Sequence, residues 1–209
     1  MTARATAPVP ATGADLEAAL EELVRTARAC RVCAADLPLG PRPVLRARAT
    51  ARLLIVGQAP GTRVHETGIP WNDPSGERLR DWLAVDRATF YDERRIAIVP
   101  MGLCYPGRDA RGGDRPPRPE CAPLWHPPLI AALPAVELTL LIGRYAQGRY
   151  LGKRRRATLT ETVRAWADCA PGFLPLPHPS WRNTAWLKRN PWFAAELLPV
   201  LRARVRALL

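Results

Sequence analysis

Short apolar segments punctuate the chain, and each stops abruptly at Gly, Pro or a polar group. Residues 52–56 end in Leu53-Leu54-Ile55-Val56 and run into Gly57. Arg95 to Pro100 reads RIAIVP, Val136 to Ile142 reads VELTLLI, and Phe173 to Pro177 reads FLPLP. Uninterrupted apolar runs of this length predict strands buried on both faces, as in parallel sheets. The prolines of the last run place it at a sheet edge. Between the runs the apolar period changes. Leu16, Leu20, Leu23 and Val24 form an i, i+4, i+7, i+8 stripe that predicts a helix over 15–29. Further helices are predicted over 77–83 (preceded by Ser75 and Gly76), over 120–133 apart from Pro127-Pro128, over 145–151, and over 159–167. A last one runs from Pro191 to Leu208, with Asn190 as N-cap and Pro191 at N1. The segment 108–118 is too rich in Gly, Pro and charge for regular structure. Strands alternating with helices predict an α/β chain: one domain, three layers α/β/α, and a mainly parallel sheet of about four strands. Residues 1–13 read as a disordered tail, and 14–209 as a single domain.

Composition narrows the class. The chain has 209 residues, 47% of them hydrophobic and 24% charged. That is enough for one substantial core. No apolar run approaches the ~18 residues of a membrane span. The N-terminal stretch has no apolar core of the secretory kind, so a cytoplasmic protein is expected. Lys and Arg total 31 against 19 acids, a net charge of +12. Lysine occurs only at 153 and 188, so arginine carries nearly all of the positive charge. A basic, arginine-rich surface points to a polyanion, nucleic acid first. Lys153-Arg154-Arg155-Arg156 is one such basic cluster. The five cysteines, at 30, 33, 104, 121 and 169, suit metal ligation or free thiols better than disulfides in this setting.

The candidate chemistry sits where strands end. After the first strand comes Gly57-Gln58-Ala59-Pro60-Gly61, a tight turn with exposed backbone N–H groups. Polar residues follow (Thr62, Arg63, His65, Glu66, Thr67, Asn72, Asp73) around one aromatic, Trp71. After the second strand comes Met101-Gly102-Leu103-Cys104-Tyr105-Pro106-Gly107, and after the last His178-Pro179-Ser180-Trp181-Arg182-Asn183. Carboxyl ends of parallel strands share one rim, so these loops are expected to converge there. His178, held between prolines, can donate to a carbonyl oxygen or stabilise a developing anion.

Taken together, GQAPG, the Gly68-Ile69-Pro70-Trp71 segment and HPS resemble the uracil-DNA glycosylase superfamily. The CxxC at 30–33 with Cys104 and Cys121 resembles its iron–sulfur family 4, while HPSWRN followed by NPWF marks a distinct branch. The resemblance spans roughly 30–200. It implies a DNA repair enzyme, monomeric and without a strand-cleaving lyase step. Such an enzyme flips a deaminated base, uracil first, out of the stack and hydrolyses its N-glycosidic bond. Gly57, Ala59, Pro60 and Gly61 would then shape the loop on the water side, and Trp71 would stack on the base. His178 would hydrogen-bond the uracil, Ser180 would grip a phosphate, and Trp181, Arg182 and Asn183 would enter the DNA.

Departures from the family pattern shape the rest. Ala59 stands where many relatives carry an Asp or Asn that holds water, and Gln58 where family 4 carries Glu. Gln can position water but cannot take its proton. Asp73, near the working Asp of family 5, is therefore the first choice for acid–base work and Glu66 the second. Pro100, followed by Met101, stands where family 4 carries a base-reading Asn, which leaves the preferred base open. Four thiolates suit a [4Fe–4S] cluster or zinc. Spacing does not choose between them; the resemblance implies the cluster. Two other classes stay in view. One is a nucleic-acid-binding relative with weak or no catalysis, and the other is an iron–sulfur electron carrier, which would leave the rim motifs without a purpose.

Overall fold

The structure, a computed structural model, describes residues 13–110 and 112–209. The expected tail, apart from Gly13, lies outside the described residues. Gly13 opens the first helix, α1 (Gly13–Arg28). Then follow β1 (Leu53–Val56), α2 (Thr62–Thr67), α3 (Pro74–Leu83), α4 (Arg87–Tyr91) and β2 (Ile96–Ile98). Next come α5 (Cys121–Ala131), β3 (Leu138–Ile142), α6 (Arg144–Tyr150), α7 (Leu159–Arg164) and β4 (Phe173–Leu176). The chain ends with α8 (Thr184–Arg189) and α9 (Leu198–Leu208), the latter entered through a π-helical turn at Phe193–Leu197.

The sheet is parallel throughout, in the order β2-β1-β3-β4. All four residues of β1 are buried, as the apolar run required of a central strand. Alternate residues serve opposite faces. Leu54 and Val56 join a core with Leu20, Val24, Trp125, Leu129 and Ala146, under α1, α5 and α6. Leu53 and Ile55 join a second core with Leu79, Leu83, Phe90, Val163, Phe193 and Leu201, under α3, α4, α7 and α9. β4 is an edge strand, as its prolines predicted, and Pro175 pairs in register with Leu141. The other edge, β2, is covered by an isolated antiparallel bridge. Arg46 N–H donates to Ile98 O (2.9 Å) and Ile98 N–H to Arg46 O (2.7 Å).

Several local predictions need correction. The helix predicted over 77–83 starts earlier, at Pro74. Its N-cap is Asp73, whose carboxylate accepts from Gly76 N–H (2.8 Å) with Pro74 in the first turn. α5 runs straight through Pro127 and Pro128. Both rings lie on its exposed side, where the carbonyls they deprive of partners can be hydrated. Asn190 makes no side-chain cap. Its amide donates to Trp186 O (2.8 Å) and its Oδ1 accepts from Trp192 Nε1 (3.0 Å), so it closes α8 instead. The segment 108–118 does gain structure: Arg108 and Asp114 form an antiparallel bridge, with Asp109 N–H donating to Gly113 O (2.7 Å). Among the described residues no helix is long and apolar enough to cross a membrane.

Candidate active site

The first and last strands deliver their loops to one cavity. Inside its open mouth it encloses about 100 Å³. The β1 loop supplies Gly57, Gln58, Ala59, Pro60 and Gly61. The α2–α3 connection supplies Pro70, Trp71 and Asp73, the first turn of α3 supplies Ser75, and the segment after β4 supplies His178 and Ser180. Pro100 enters from the end of β2, and Asp114 from the hairpin beyond it.

Trp71 is held in place from several sides. Its backbone has φ +56°, a conformation that is costly for a bulky side chain and survives only where packing enforces it. Gly57 lies under the indole: a Cβ there would stand 2.8 Å from Trp71 Cζ2. Gly76 lies against the backbone, where a Cβ would stand 1.7 Å from Trp71 O. Arg80 Nη1 donates to that same carbonyl (3.3 Å), and Tyr91 OH donates to Pro70 O (3.0 Å). The indole therefore faces the cavity as a fixed plate.

The imidazole of His178 stands 5.5 Å from the Trp71 ring, centroid to centroid, at an interplanar angle of 34°. Its Nδ1 accepts from Ser180 N–H (3.2 Å), which leaves the proton of the neutral ring on Nε2. Burial pushes its pKa down to about 4 against a smaller opposing pull from Asp73, so the ring is neutral at physiological pH. Asn183 Nδ2 donates to His178 O (2.7 Å), and Arg78 Nη1 donates to Ser180 O (3.0 Å). The loop that carries the imidazole is thus pinned at both ends.

The other sequence-predicted residues fall into three groups. Gln58 lines the cavity, and its amide donates to Arg115 O (3.1 Å), tying the β1 loop to the hairpin. Asp73 lines it while capping α3. Glu66 does not: it is exposed on α2, away from the lining residues, so the second choice for acid–base work has no place in the cavity. Met101 is also outside it, packed in the core that holds α1 and α5. Trp181, Arg182 and Asn183 lie beyond the lining. Trp181 is 70% exposed, with the Arg182 guanidinium 5.4 Å from its ring centroid. Arg182 Nη2 donates to Gly112 O (2.9 Å), joining this loop to the hairpin.

Asp114 is the cavity carboxyl that sequence reasoning missed. It lies at the open rim, with more than a third of its surface in solvent. Even so, loss of hydration is the largest influence on its carboxyl and raises its pKa. Arg108 and Arg182 oppose that rise, while Asp73 and Asp109 add to it. Asp73 and Asp114 are the two carboxyl residues among the described residues that line the cavity.

A second, smaller cavity collects Cys30, Cys33, Cys104 and Cys121, walled by Leu37, Pro41, Pro43, Leu103, Arg118 and Trp125. Three separate segments thus bring their cysteines to one place. Burial pushes Cys104 up to about 11 and Cys121 up to about 12. Leu103 N–H donates to the Cys121 sulfur (3.2 Å). Two donors that line this cavity, Trp125 Nε1 and Arg118 Nε, are buried and make no hydrogen bond with other protein groups. Among the described residues no three His, Cys, Asp or Glu side chains are gathered tightly enough to hold a single metal ion. Cys169 lies apart, buried in the core.

The parallel four-stranded sheet, the glycine-bound plate of Trp71 and the neutral imidazole facing it all lie within residues 46–202. That span matches the uracil DNA glycosylase superfamily, and the chain belongs to that family.

Proposed function

We propose that the chain is a monomeric, monofunctional DNA glycosylase that hydrolyses the N-glycosidic bond of a flipped deaminated base, uracil first. The reading rests on one observation above all: a neutral imidazole and a fixed indole, in ring contact with each other, line the same wall of one cavity. A base inside the duplex cannot be reached, so it must swing out. Trp71 then stacks on its face. His178 Nε2–H donates to a carbonyl oxygen of the base as the C1′–N bond lengthens and the base gathers negative charge. A neutral donor suits this step, because it stabilises the anion without surrendering its proton. The sugar meanwhile becomes oxocarbenium-like. The carboxylate of Asp73 stabilises that positive charge and takes the proton of the attacking water, while Gln58 orients the water. Outside the cavity Trp181 fills the gap in the stack, a task for which an exposed bulky wedge is suited. Ser180, Arg182 and Asn183 hold the backbone on that side.

The reading extends to the second cavity. Cys30, Cys33, Cys104 and Cys121 would hold a [4Fe–4S] cluster. The support is that four thiols from three segments line one cavity, with buried N–H groups at Trp125 and Arg118 that find no protein acceptor. The cluster would serve structurally, fastening the end of α1 and the 104–121 loop to the end of β2.

The test uses oligonucleotides carrying uracil, hypoxanthine or xanthine, incubated with protein and then treated with alkali to break abasic sites. Wild type is expected to yield cleavage, and Asp73→Asn to lose ~10²-fold or more of the rate, as for loss of a positioned acid–base group. Retarded migration without cleavage by wild type would instead identify a binding relative. In that case Ala59 and Gln58 would mark a lost water-activating site.

A further inference from the structure

The cavity is short of one expected part. A glycosylase must read the hydrogen-bonding edge of the extruded base, yet the β2 end offers Pro100, which has no side-chain donor or acceptor. The side chain that comes nearest to filling the role arrives from elsewhere. We infer that Asp114, carried on the 107–115 hairpin, reads the edge of the flipped base and selects bases that present an N–H beside a C=O, uracil and hypoxanthine alike. The inference deepens the proposed function and rests on it.

Three observations carry it. Asp114 lines the same cavity as Trp71 and His178, at its open rim, where the edge of a base stacked on the indole remains to be read. The hairpin is positioned rather than loose: Arg115 N–H donates to Gly107 O (2.9 Å), Asp109 Oδ1 accepts from Gly113 N–H (2.9 Å), Gln58 holds Arg115 O, and Arg182 holds Gly112 O. Just beyond the hairpin, Pro117 closely covers Gly102, where a Cβ would meet Pro117 Cβ at 2.9 Å. Lastly, a protonated carboxyl has a donor and an acceptor side by side. Its O–H can donate to the base carbonyl while its C=O accepts from the adjacent ring N–H. The ionised form accepts only, and would face the base carbonyl with like charge. The surroundings push its pKa upward, toward the protonated form: desolvation, with Asp73 and Asp109, outweighs Arg108 and Arg182. The two cavity carboxyls then divide the work, Asp73 at the sugar and water, Asp114 at the base edge. Such a division by environment is a recurring device in paired-carboxyl sites.

The experiment compares intact wild type, Asp114→Asn and Asp114→Ala in single-turnover excision from uracil and hypoxanthine oligonucleotides across pH, with melting temperatures as the control for folding. Ala should slow excision of both bases by about tenfold, the scale expected when a base-edge hydrogen bond is lost. Asn keeps a donor and an acceptor, so it should recover excision to within about threefold of wild type. As pH rises through the raised value of Asp114, wild type should lose rate and Asn should not. Equal rates in wild type and Ala overturn the inference, as does Asn proving as impaired as Ala. A wild type that releases neither base overturns the functional reading together with it, whereas a wild type that excises and ignores position 114 overturns the inference alone.

Discussion

The two cavities of this chain are built on opposite plans. The base cavity is held by packing. Gly57 and Gly76 press against Trp71, Arg80 and Tyr91 hold the carbonyls of residues 71 and 70, and Asn183 and Arg78 fix the loop of His178. Its geometry is complete without any occupant. The cysteine cavity gathers its groups from a helix end, the loop after β2 and the start of α5. It leaves thiols desolvated and two N–H donors without protein partners. Buried N–H donors without acceptors are unfavourable alone, and an acceptor-rich occupant would satisfy them. On the proposed reading, the contrast separates a site preorganised for a transient substrate from one that would draw stability from what it retains.

Four perturbations sharpen that contrast. The largest effect is expected from His178→Gln, which removes the donor to the leaving base and should cost ~10²–10³ in single-turnover rate, with iron content unchanged. The same variant changes acid stability. The His178 pKa is about 4 in the fold, below its ordinary value, so the unfolded chain takes up the proton first as pH falls. Stability is therefore fully present above about 6.5 and is lost as pH drops toward 4. Gln should flatten that part of the slope in denaturant titrations, leaving the contribution of His126, whose pKa burial also lowers. Next comes Gly76→Ala. Its Cβ would collide with the Trp71 carbonyl, so unfolding should become easier by ~3 kcal/mol, the upper end for overpacking, with excision falling in parallel.

In the other cavity, Cys121→Ser should release iron, measured by metal analysis and loss of visible absorbance. The melting temperature should fall by several degrees, because a ligand that binds only the native state stabilises it. Folded molecules should keep the Trp71–His178 pairing. The smallest change in stability belongs to Trp181→Ala. At 70% exposure its loss should stay within ~0.5 kcal/mol, while affinity for DNA containing an abasic site drops measurably in gel retardation.

How far the sequence foretold this depends on how local the signal was. Strands were legible because an unbroken apolar run has few other fates, and β4 was placed at an edge because Pro175 cannot serve a central strand. The rim loops were legible because Gly and Pro end those runs. Short helices were not. α2 and α4 are stabilised by docking more than by any periodic stripe, and six or five residues show too little of one. Asp73 was read as a loop carboxylate, although Asp-Pro ahead of a helix is a capping signal that names it directly. Glu66 stayed in view as second choice to Asp73 because both are acids in one polar stretch. The helical turn of α2 then carries Glu66 to the surface. Asp114 was hidden for a different reason: a hairpin rich in Gly and charge has no period, and only its return across Gly102 and Gln58 brings it to the cavity.

The most direct test of the whole account is photocross-linking of the Asp73→Asn protein to an oligonucleotide carrying 5-iodouracil, with the adduct mapped by mass spectrometry. A base flipped against the indole should attach to Trp71, in the peptide Val64–Arg78. Attachment confined to Trp181, or to no residue of the cavity, would contradict it.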